Sequence, residues 1–351
     1  MVIQIQNTPQ SQALQSLLDR AVDNKKIFGT SYCLKHNDFT WCGGSGNLES
    51  GTPYFIASTT KLFVTAIILR LQSQGKLDIR DSIAKYLDST TLEGLHVLNG
   101  KDFSVEITIQ NLLAHNSGLP DYFQYTDRGK ESLFKSLMRG QDQALTFEDV
   151  LARNKTMKPV FPPNSRGRAF YSDTNFQLLG KIIENITDMS FSQVLEALIL
   201  EPLALKQSYL YQSPEDTRPA DMYFKDSPLR IPQAMAFFGA DGGMVSTSSD
   251  MCRFIEAFFE GKIFPRDDLP ELYVWNKIFF PMQAGIGLHR FKAPWFFDPF
   301  GQVPEFLGHS GLSGALAFYC PRKQIYIAGT VNQLAYPSAP FSLMIRLTRV
   351  L

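Results

Sequence analysis

Residues 54–71 read YFIASTTKLFVTAIILRL and join a short apolar segment to a longer apolar run. The run at residues 62–71 is about half as long as a helix that crosses a bilayer, so it predicts a buried helix of a globular protein. Ser58 stands where the extended segment meets this helix, and Lys61 follows one turn later. A spacing of three residues places both side chains on the same side of the first turn.

Ser58 and Lys61 together predict nucleophilic chemistry. A serine hydroxyl is a weak nucleophile until a base takes its proton, and lysine serves as that base only when its pKa falls from about 10.4. Burial beside the apolar run and the positive end of the helix predict such a lowered pKa for Lys61. The alternative is that Ser58 caps the helix and Lys61 extends along the surface to solvent.

The S-x-x-K spacing alone does not select this pair. It occurs at four places, with the lysines at positions 61, 76, 85 and 135. Only Lys61 lies between an apolar strand and a long apolar run, in the helix turn where a cation is least favoured. That context favours Ser58 and Lys61 as functional residues.

The apolar periodicity divides the chain into strand-rich ends and a helical middle. Helical spacing marks residues 12–24 and 340–350, and the pattern from about residue 58 to residue 259 is mostly helical with irregular connections such as residues 158–167. Segments of strand character lie near both chain ends, at residues 28–34, 39–42, 284–289, 315–319 and 324–331.

This distribution predicts an α+β fold. The N- and C-terminal segments form one antiparallel sheet flanked by helices, with a mostly helical lobe inserted. We expect residues 1–351 to form a single unit, in which residues 1–80 plus 240–351 make the sheet lobe and residues 81–239 the helical lobe. The cleft between the two lobes is the natural place for a site.

Composition excludes several classes of function. Lys+Arg and Asp+Glu both number 34, and no block of like charges occurs, which argues against a nucleic-acid partner.

The first residues lack the basic and apolar regions of a signal peptide, so the sequence slightly favours the cytoplasm, or the periplasm or secretion if a leader has been removed. No transmembrane segment is predicted, and the oligomeric state stays open.

Cysteine and histidine patterns indicate neither a disulfide scaffold nor a zinc site. The four cysteines, at positions 33, 42, 252 and 320, form no C-x-x-C pair and are expected to be free buried thiols. The five histidines include no H-x-H or H-x-x-x-H pair, and no glycine-rich phosphate loop occurs. We therefore expect no metal, nucleotide or flavin cofactor.

Three short motifs, in order along the chain, carry a resemblance to a known family: Ser58-Thr59-Thr60-Lys61, Tyr171-Ser172-Asp173 and His309-Ser310-Gly311. With the supporting blocks at residues 112–120 (LLAHNSGLP) and 239–250 (GADGGMVSTSSD), the sequence resembles the serine β-lactamase superfamily over about residues 12–350. Within this superfamily, the sequence resembles the branch that contains class C β-lactamases, D-alanyl-D-alanine carboxypeptidases, D-aminopeptidases and related esterases. The resemblance implies a β-lactamase/transpeptidase-like fold.

The second motif implies that Tyr171 faces the nucleophile and moves protons. A phenol near cationic or hydrogen-bonding neighbours can have a pKa below its usual value of about 10 and act as a general base. Many members have asparagine where Asp173 stands, so a substrate-binding amide is replaced by a carboxyl group here. Asp173 then either contacts substrate or caps the helix that follows, and Asn175 is a possible substitute amide.

The third motif implies that His309 positions a substrate carboxylate or hydrogen-bonds to the tyrosine, where related lactamases usually have lysine. His309, Ser310, Gly311 and Leu312 are therefore expected to bind substrate. By the same resemblance, the backbone amides of Ser58 and Leu312 form the oxyanion hole. His115 is expected to be structural.

The sequence therefore predicts a serine hydrolase that acts through an acyl-enzyme on a small amide or ester, as in carboxypeptidases or esterases. Its substrate would be a small molecule or a short peptide. The alternatives are a class C-type β-lactamase, and a protein on the same fold that binds penicillin or senses a ligand without turnover. The G-x-S-x-G motif of α/β-hydrolases is absent.

Residues 291–300 (FKAPWFFDPF) are unusually aromatic for a loop. They are expected to plug the space under the sheet. The alternative is a wall of the acyl pocket or a dimer contact, centred on Trp295.

Overall fold

The computed structural model describes residues 8–126, 130–293, 298 and 301–351. Its α-helices, numbered in chain order, are α1 Pro9–Ala21, α2 Thr60–Ser73, α3 Ser89–Leu92, α4 Ile109–Leu113, α5 Leu133–Met138, α6 Phe147–Thr156, α7 Thr174–Thr187, α8 Phe191–Leu195, α9 Pro232–Gly242, α10 Ser248–Phe259 and α11 Ala339–Thr348. A π-helical stretch, Glu196–Leu200, continues directly from α8.

The strands of the described residues are β1 Gly29–His36, β2 Phe39–Gly46, β3 Tyr54–Phe55, β4 Val97–Leu98, β5 Lys101–Asp102, β6 Tyr209–Leu210, β7 Met222–Phe224, β8 Ser227–Leu229, β9 Met244–Ser246, β10 Asn276–Lys277, β11 Met282–Ala284, β12 His289–Phe291, β13 Phe306–Ser310, β14 Ala315–Cys320 and β15 Ile325–Thr330. Eight of them form an antiparallel sheet in the order β10-β11-β12-β13-β14-β15-β1-β2. Strands from both ends of the chain therefore share one sheet, and the predicted α+β fold is confirmed.

Both faces of this sheet are covered by helices. In β14, Leu316 and Phe318 belong to a core shared with α1 and α11, whereas Ala315 and Ala317 belong to the core that contains α2 and α10. Successive residues of a strand point to opposite faces, so this alternation places one helical layer on each side.

The segment between α2 and α10 is less purely helical than its periodicity predicts. Short strands β3, β9 and β6 pair as a small antiparallel sheet, and two hairpins, β4 with β5 and β7 with β8, accompany them. Strand β3 leads directly into the turn before α2. This small sheet therefore fixes where α2 begins.

Two predictions of local structure are wrong. Residues 284–289 were expected to form one strand, but residues 285–288 form a turn between Ala284, which ends β11, and His289, which begins β12. Gly285 and Gly287 allow this turn, and Gly287 has φ +72°. Cys33 and Cys42 are not free thiols. They lie opposite one another in the β1–β2 hairpin and form a disulfide, whereas Cys252 and Cys320 are free and buried.

Only part of the aromatic segment, residues 291–300, lies within the described residues. Phe291 ends β12 and stacks on Phe341 of α11, with 5.3 Å between ring centroids. Trp295, on which the alternative depended, lies outside the described residues.

Candidate active site

Ser58 lies in a strained turn between β3 and α2. The 3₁₀ turn Ala57–Thr59 leads into the helix, and Ala57 adopts a left-handed backbone conformation with φ 45°. The amide of Ile56 donates to the Met244 carbonyl at 3.0 Å, and Ser313 Oγ donates to the Phe55 carbonyl at 2.7 Å. These bonds hold the partly exposed Ser58 side chain at the N-terminus of α2.

The Lys61 ammonium group lies behind Ser58, fully buried. Its Nζ lies 3.2 Å from Ser58 Oγ, to which it donates, and 2.6 Å from Asp173 Oδ1. It also donates to the Asp241 carbonyl oxygen at 2.5 Å. An ammonium has three N–H donors. All three of them therefore have an acceptor within the protein.

The expected lowering of the pKa of Lys61 is wrong. Burial does favour the neutral amine, but the negative charge of Asp173, with further contributions from the neighbouring Tyr171 and Asp241, outweighs burial and raises this pKa above its usual value. The resting state of the site therefore contains a lysine ammonium.

Two further carboxyl groups lie buried near this ion pair. Asp241 Oδ2 accepts hydrogen bonds from Tyr122 Oη at 2.6 Å and from Gln177 Nε2 at 3.0 Å, and Asp121 Oδ1 accepts from the Asp173 amide at 3.1 Å. Burial and the charge of Asp173 raise the pKa of Asp241 to about 7. The same two causes hold the pKa of Asp121 well above its usual range.

Of the two roles predicted for the Asp173 side chain, the helix cap is wrong, and contact with substrate stays a prediction. Asp173 occupies the N-cap position of α7, but its side chain makes no capping hydrogen bond. It points instead to Lys61 and contributes to the lining of the cavities beside Ser58. The ion pair was not predicted, because it joins helices more than a hundred residues apart in sequence.

Asn175 does not reach the cleft. Its side chain is completely buried, its Oδ1 accepts from Ser117 Oγ at 2.7 Å, and its Nδ2 lies 3.3 Å from His115 Nδ1. The prediction that Asn175 supplies an amide to substrate is therefore wrong. It belongs to the network that orients His115.

His115 fixes the segment that carries Tyr171. Its carbonyl accepts from the Phe170 amide at 2.8 Å, and its Nδ1 accepts from the Ser172 amide at 3.2 Å. The imidazole stacks on the Tyr171 ring with 4.5 Å between centroids. Burial, followed by the proximity of His289 and the charge of Lys61, holds the pKa of His115 well below its usual range, so the stacked ring is neutral.

The Tyr171 hydroxyl group faces Ser58 and Lys61. Its ring centroid lies 5.3 Å from Lys61 Nζ, and both Ser58 and Lys61 lie close enough to its hydroxyl group to act toward lowering its pKa. Burial nevertheless outweighs the opposing charge of Lys61 and raises the pKa of Tyr171 above its usual value. The expected low pKa is wrong for the resting state, in which Tyr171 is a neutral phenol.

Two stacked histidines form the opposite wall. His309 on β13 and His289 on β12 lie with 4.1 Å between ring centroids, because β12 pairs with β13 so that His289 is opposite Gly308. Sequence analysis missed His289, since no motif contains it. Burial, with the charge of Lys61, lowers the pKa of His289 to about 3. Burial, with the proximity of His289 and the charge of Lys61, holds the pKa of His309 well below its usual range. Both imidazoles are therefore neutral near pH 7.

The third motif lies directly against the nucleophile turn. Its glycine, Gly311, is required there, since a Cβ atom would come within 2.2 Å of the Ile56 carbonyl oxygen. The Gly311 amide donates to the Ala315 carbonyl at 2.8 Å, which closes the turn between β13 and β14. Leu312 is thereby placed beside Ser58.

Ser58 opens onto two cavities. A narrow one, of about 50 Å³, is mostly apolar and is lined by residues that include Met138, Met235 and Phe238. A wide one, of about 500 Å³, is lined by Tyr171 and by the predicted substrate-binding residues His309, Ser310, Gly311 and Leu312. Ser58, Asp173 and Leu312 border both cavities.

The Beta-lactamase family matches residues 14–344. The chain belongs to this family. Family membership and the hydrolase names of its relatives support a hydrolase. Among the residues that the structure describes, no helix is long and apolar enough to cross a membrane, and no group of histidine, cysteine or acidic side chains is placed to hold a metal ion.

Similar proteins carry names from several hydrolase activities. A putative D-alanyl-D-alanine carboxypeptidase of Salmonella gallinarum (strain 287/91 / NCTC 13346) is 29% identical over 191 residues, which are 54% of this chain and 41% of the relative. The match thus spans less than half the length of that relative. A D-stereospecific amidohydrolase from Streptomyces sp. has a TM-score of 0.74 at 25% identity, covering 92% of this chain and 94% of the other. An octameric penicillin-binding protein homologue from Pyrococcus abyssi has a TM-score of 0.74 at 26% identity, covering 96% of this chain and 77% of the other.

Proposed function

We propose that this protein is a serine hydrolase that cleaves a small amide or ester through an acyl-enzyme on Ser58. The observation that carries the proposal is the contact of 3.2 Å between Ser58 Oγ and Lys61 Nζ, in a turn that also faces the Tyr171 hydroxyl group. A nucleophile beside a proton-transfer partner, which is itself oriented by a third group, is the arrangement that activates a serine.

The proton carrier is the pair Lys61 and Tyr171 rather than either side chain alone. In the resting state Lys61 is charged and Tyr171 is neutral, so neither accepts a proton from Ser58. The loss of one proton from the pair gives a phenolate stabilised by the ammonium, and that phenolate takes the proton of Ser58. Activity therefore depends on the fraction of the pair that has lost a proton, and this fraction rises with pH.

Acyl transfer then follows in two halves. Ser58 Oγ attacks the substrate carbonyl, the backbone amides of Ser58 and Leu312 stabilise the oxyanion, and Tyr171 returns the proton to the leaving group. Water attacks the acyl-enzyme by the reverse path and releases the acid. The positions of Leu312 and Ser58 at the same cavity edge support this oxyanion hole.

Carboxypeptidase-like or esterase-like substrates fit better than β-lactams. Asp173 places a carboxylate where many members of the superfamily that this sequence resembles have an amide. His309 stands where the lactamases of that superfamily usually have lysine. The amidohydrolase and carboxypeptidase names of similar proteins support the same choice.

Intact-protein mass spectrometry tests the proposal. Wild type and Ser58→Ala are each incubated with a fluorophosphonate, a p-nitrophenyl ester and a penicillin. We expect wild type, and not Ser58→Ala, to gain the reagent mass, and we expect the ester adduct to turn over. If neither protein is labelled and neither hydrolyses the ester, the proposal is wrong. A penicillin adduct that persists after one turnover would instead indicate a penicillin-binding protein.

A further inference from the structure

The wide cavity receives the leaving group. The group that protonates the leaving atom must reach it, and Tyr171 borders the wide cavity but not the narrow one. An acyl group on Ser58 then extends toward the narrow, mostly apolar cavity, and the departing half of the substrate occupies the wide one. This assignment rests on the proposed acyl-enzyme at Ser58.

Within the part of its lining that the structure describes, the wide cavity offers no cation to that departing half. Among the described residues that line it, none is lysine or arginine, and the histidines His289 and His309 are neutral near pH 7. Lys61 cannot serve in their place, because its ammonium is fully buried and its three N–H donors already have acceptors. Among the described lining residues, the acidic side chain is that of Asp173, which pairs with Lys61.

The polar atoms of the wall include an acceptor that has no donor. His309 Nδ1 lies 2.8 Å from the Ser310 carbonyl oxygen, which can only accept, so Nδ1 carries the hydrogen. In a neutral imidazole the other nitrogen, Nε2, then has a lone pair, and it is buried with no partner in the described structure. Both nitrogens of His289 are also buried without a partner there.

We infer that the natural leaving group is uncharged and donates a hydrogen bond to His309 Nε2, as a carboxamide or hydroxyl group would. A free carboxylate at this place would face a lone pair and the Asp173 carboxylate, with no cation among the described lining residues to replace its water shell. The inference selects amides and neutral esters over peptides that end in a free carboxylate. It therefore separates amidase-like and esterase-like activity from carboxypeptidase activity at the same site.

Two esters that differ only in the charge of the leaving group test this inference. Phenylacetyl esters of glycolamide and of glycolic acid share the acyl group and nearly share the size of the leaving group. We expect kcat/KM for the glycolamide ester to exceed that for the glycolate ester by about tenfold or more, because the carboxylate loses hydration without an ionic partner. Equal values, or a preference for the glycolate ester, would overturn the inference.

Slow turnover does not prevent the comparison. Both esters can also be measured as competitive inhibitors of p-nitrophenyl acetate hydrolysis, and the same order of affinity is expected. Failure of the proposed function looks different: Ser58→Ala would hydrolyse p-nitrophenyl acetate as fast as wild type, whatever the preference between the two esters.

A charge introduced at His309 tests the physical cause. His309→Lys supplies the missing cation, and His309→Gln is the uncharged control for loss of the imidazole. We expect the ratio of kcat/KM for glycolamide over glycolate to fall at least about tenfold in His309→Lys relative to His309→Gln. The ratio corrects for any common loss of rate. An unchanged ratio in a folded His309→Lys would show that the charge of this wall does not select the leaving group.

Discussion

The two walls that meet at Ser58 differ in charge: one contains an ion pair and the other contains neutral imidazoles. On the helical side, Lys61 and Asp173 form an ion pair whose donors are fully used, with Asp121 and Asp241 buried close by. On the sheet side, His289 and His309 are neutral, and three of their nitrogens have no partner in the described structure.

This difference separates the groups that carry out proton transfer from the surface that recognises the substrate. Charges that must persist through the reaction are paired inside the protein, where a lone charge would be costly. Polar atoms that lack partners lie instead where a ligand can supply them. The charged wall therefore handles protons, and the neutral wall selects the substrate.

Lys61→Met should have the largest effect, because it leaves the carboxyl groups of the charged wall without their cation. We expect the free energy of unfolding to fall by about 3–5 kcal/mol, and ester hydrolysis to fall by about 10³-fold or more. Urea unfolding and p-nitrophenyl ester kinetics measure the two effects. The double variant Lys61→Met/Asp173→Asn should recover part of the stability but no activity. Equal stability of the single and double variants would show that the ion pair does not act as described.

Tyr171→Phe should remove proton transfer while preserving the stacking on His115. We expect kcat to fall by about 10²- to 10⁴-fold, with little change in the urea midpoint. Tyr86→Phe is the matched control. Tyr86-Leu87-Asp88 has the same tripeptide form, but the Tyr86 hydroxyl group donates to the Asp81 carboxylate outside the site. A Tyr171→Phe variant as active as Tyr86→Phe would exclude Tyr171 from the chemistry.

Asp173→Asn should shift the pH dependence of catalysis. The charge of Asp173 raises the pKa of Lys61 and that of Tyr171, so removing it lowers both. The pair then loses its proton at lower pH, and the acid limb of the kcat/KM profile should move down by about one pH unit. Asp188→Asn, at the other end of α7, should leave the profile unchanged. A shift of the acid limb to higher pH would contradict the proposed proton carrier.

Asp241→Asn should have the smallest effect on catalysis and should mainly change how stability depends on pH. Burial raises the pKa of Asp241 to about 7, so between about pH 4 and pH 7 the folded protein holds a proton that the unfolded chain releases. The stability that Asp241 contributes is therefore present below pH 4 and is lost as the pH rises through 7. Relative to wild type, Asp241→Asn should gain a few kcal/mol, up to about 4, in urea unfolding between pH 4 and pH 8. Parallel pH profiles for the two proteins would contradict the buried, protonated carboxyl group.

The sequence predicts those parts of the site that depend on local spacing. Ser58 and Lys61 are three residues apart at a helix start, and that spacing alone brings their side chains together. The third motif likewise carries a glycine, Gly311, at a place where the backbone of the nucleophile turn leaves no room for a side chain. The strand character of both chain ends predicted a single sheet, and strands from the two ends do pair within one sheet.

Tertiary contacts account for what the sequence did not show. The pairing of Asp173 with Lys61 and the stacking of His289 on His309 depend on how separate elements pack, and no local pattern encodes either. The pKa expectation for Lys61 failed because burial was foreseen and the neighbouring carboxylates were not. The expectation for Tyr171 failed because burial outweighs the charge of Lys61. The disulfide was more accessible to sequence analysis. A turn at Asn37 and Asp38 places Cys33 directly opposite Cys42.

The acyl-enzyme on Ser58 is tested most directly by locating the acyl group during turnover. The reaction with a p-nitrophenyl ester is stopped by acid in its first turnovers, the protein is digested, and the modified residue is identified by tandem mass spectrometry. We predict an acyl group on Ser58 that forms and decays at rates consistent with kcat. Acylation of another residue at the same rates, or turnover without an adduct on Ser58, would contradict the mechanism.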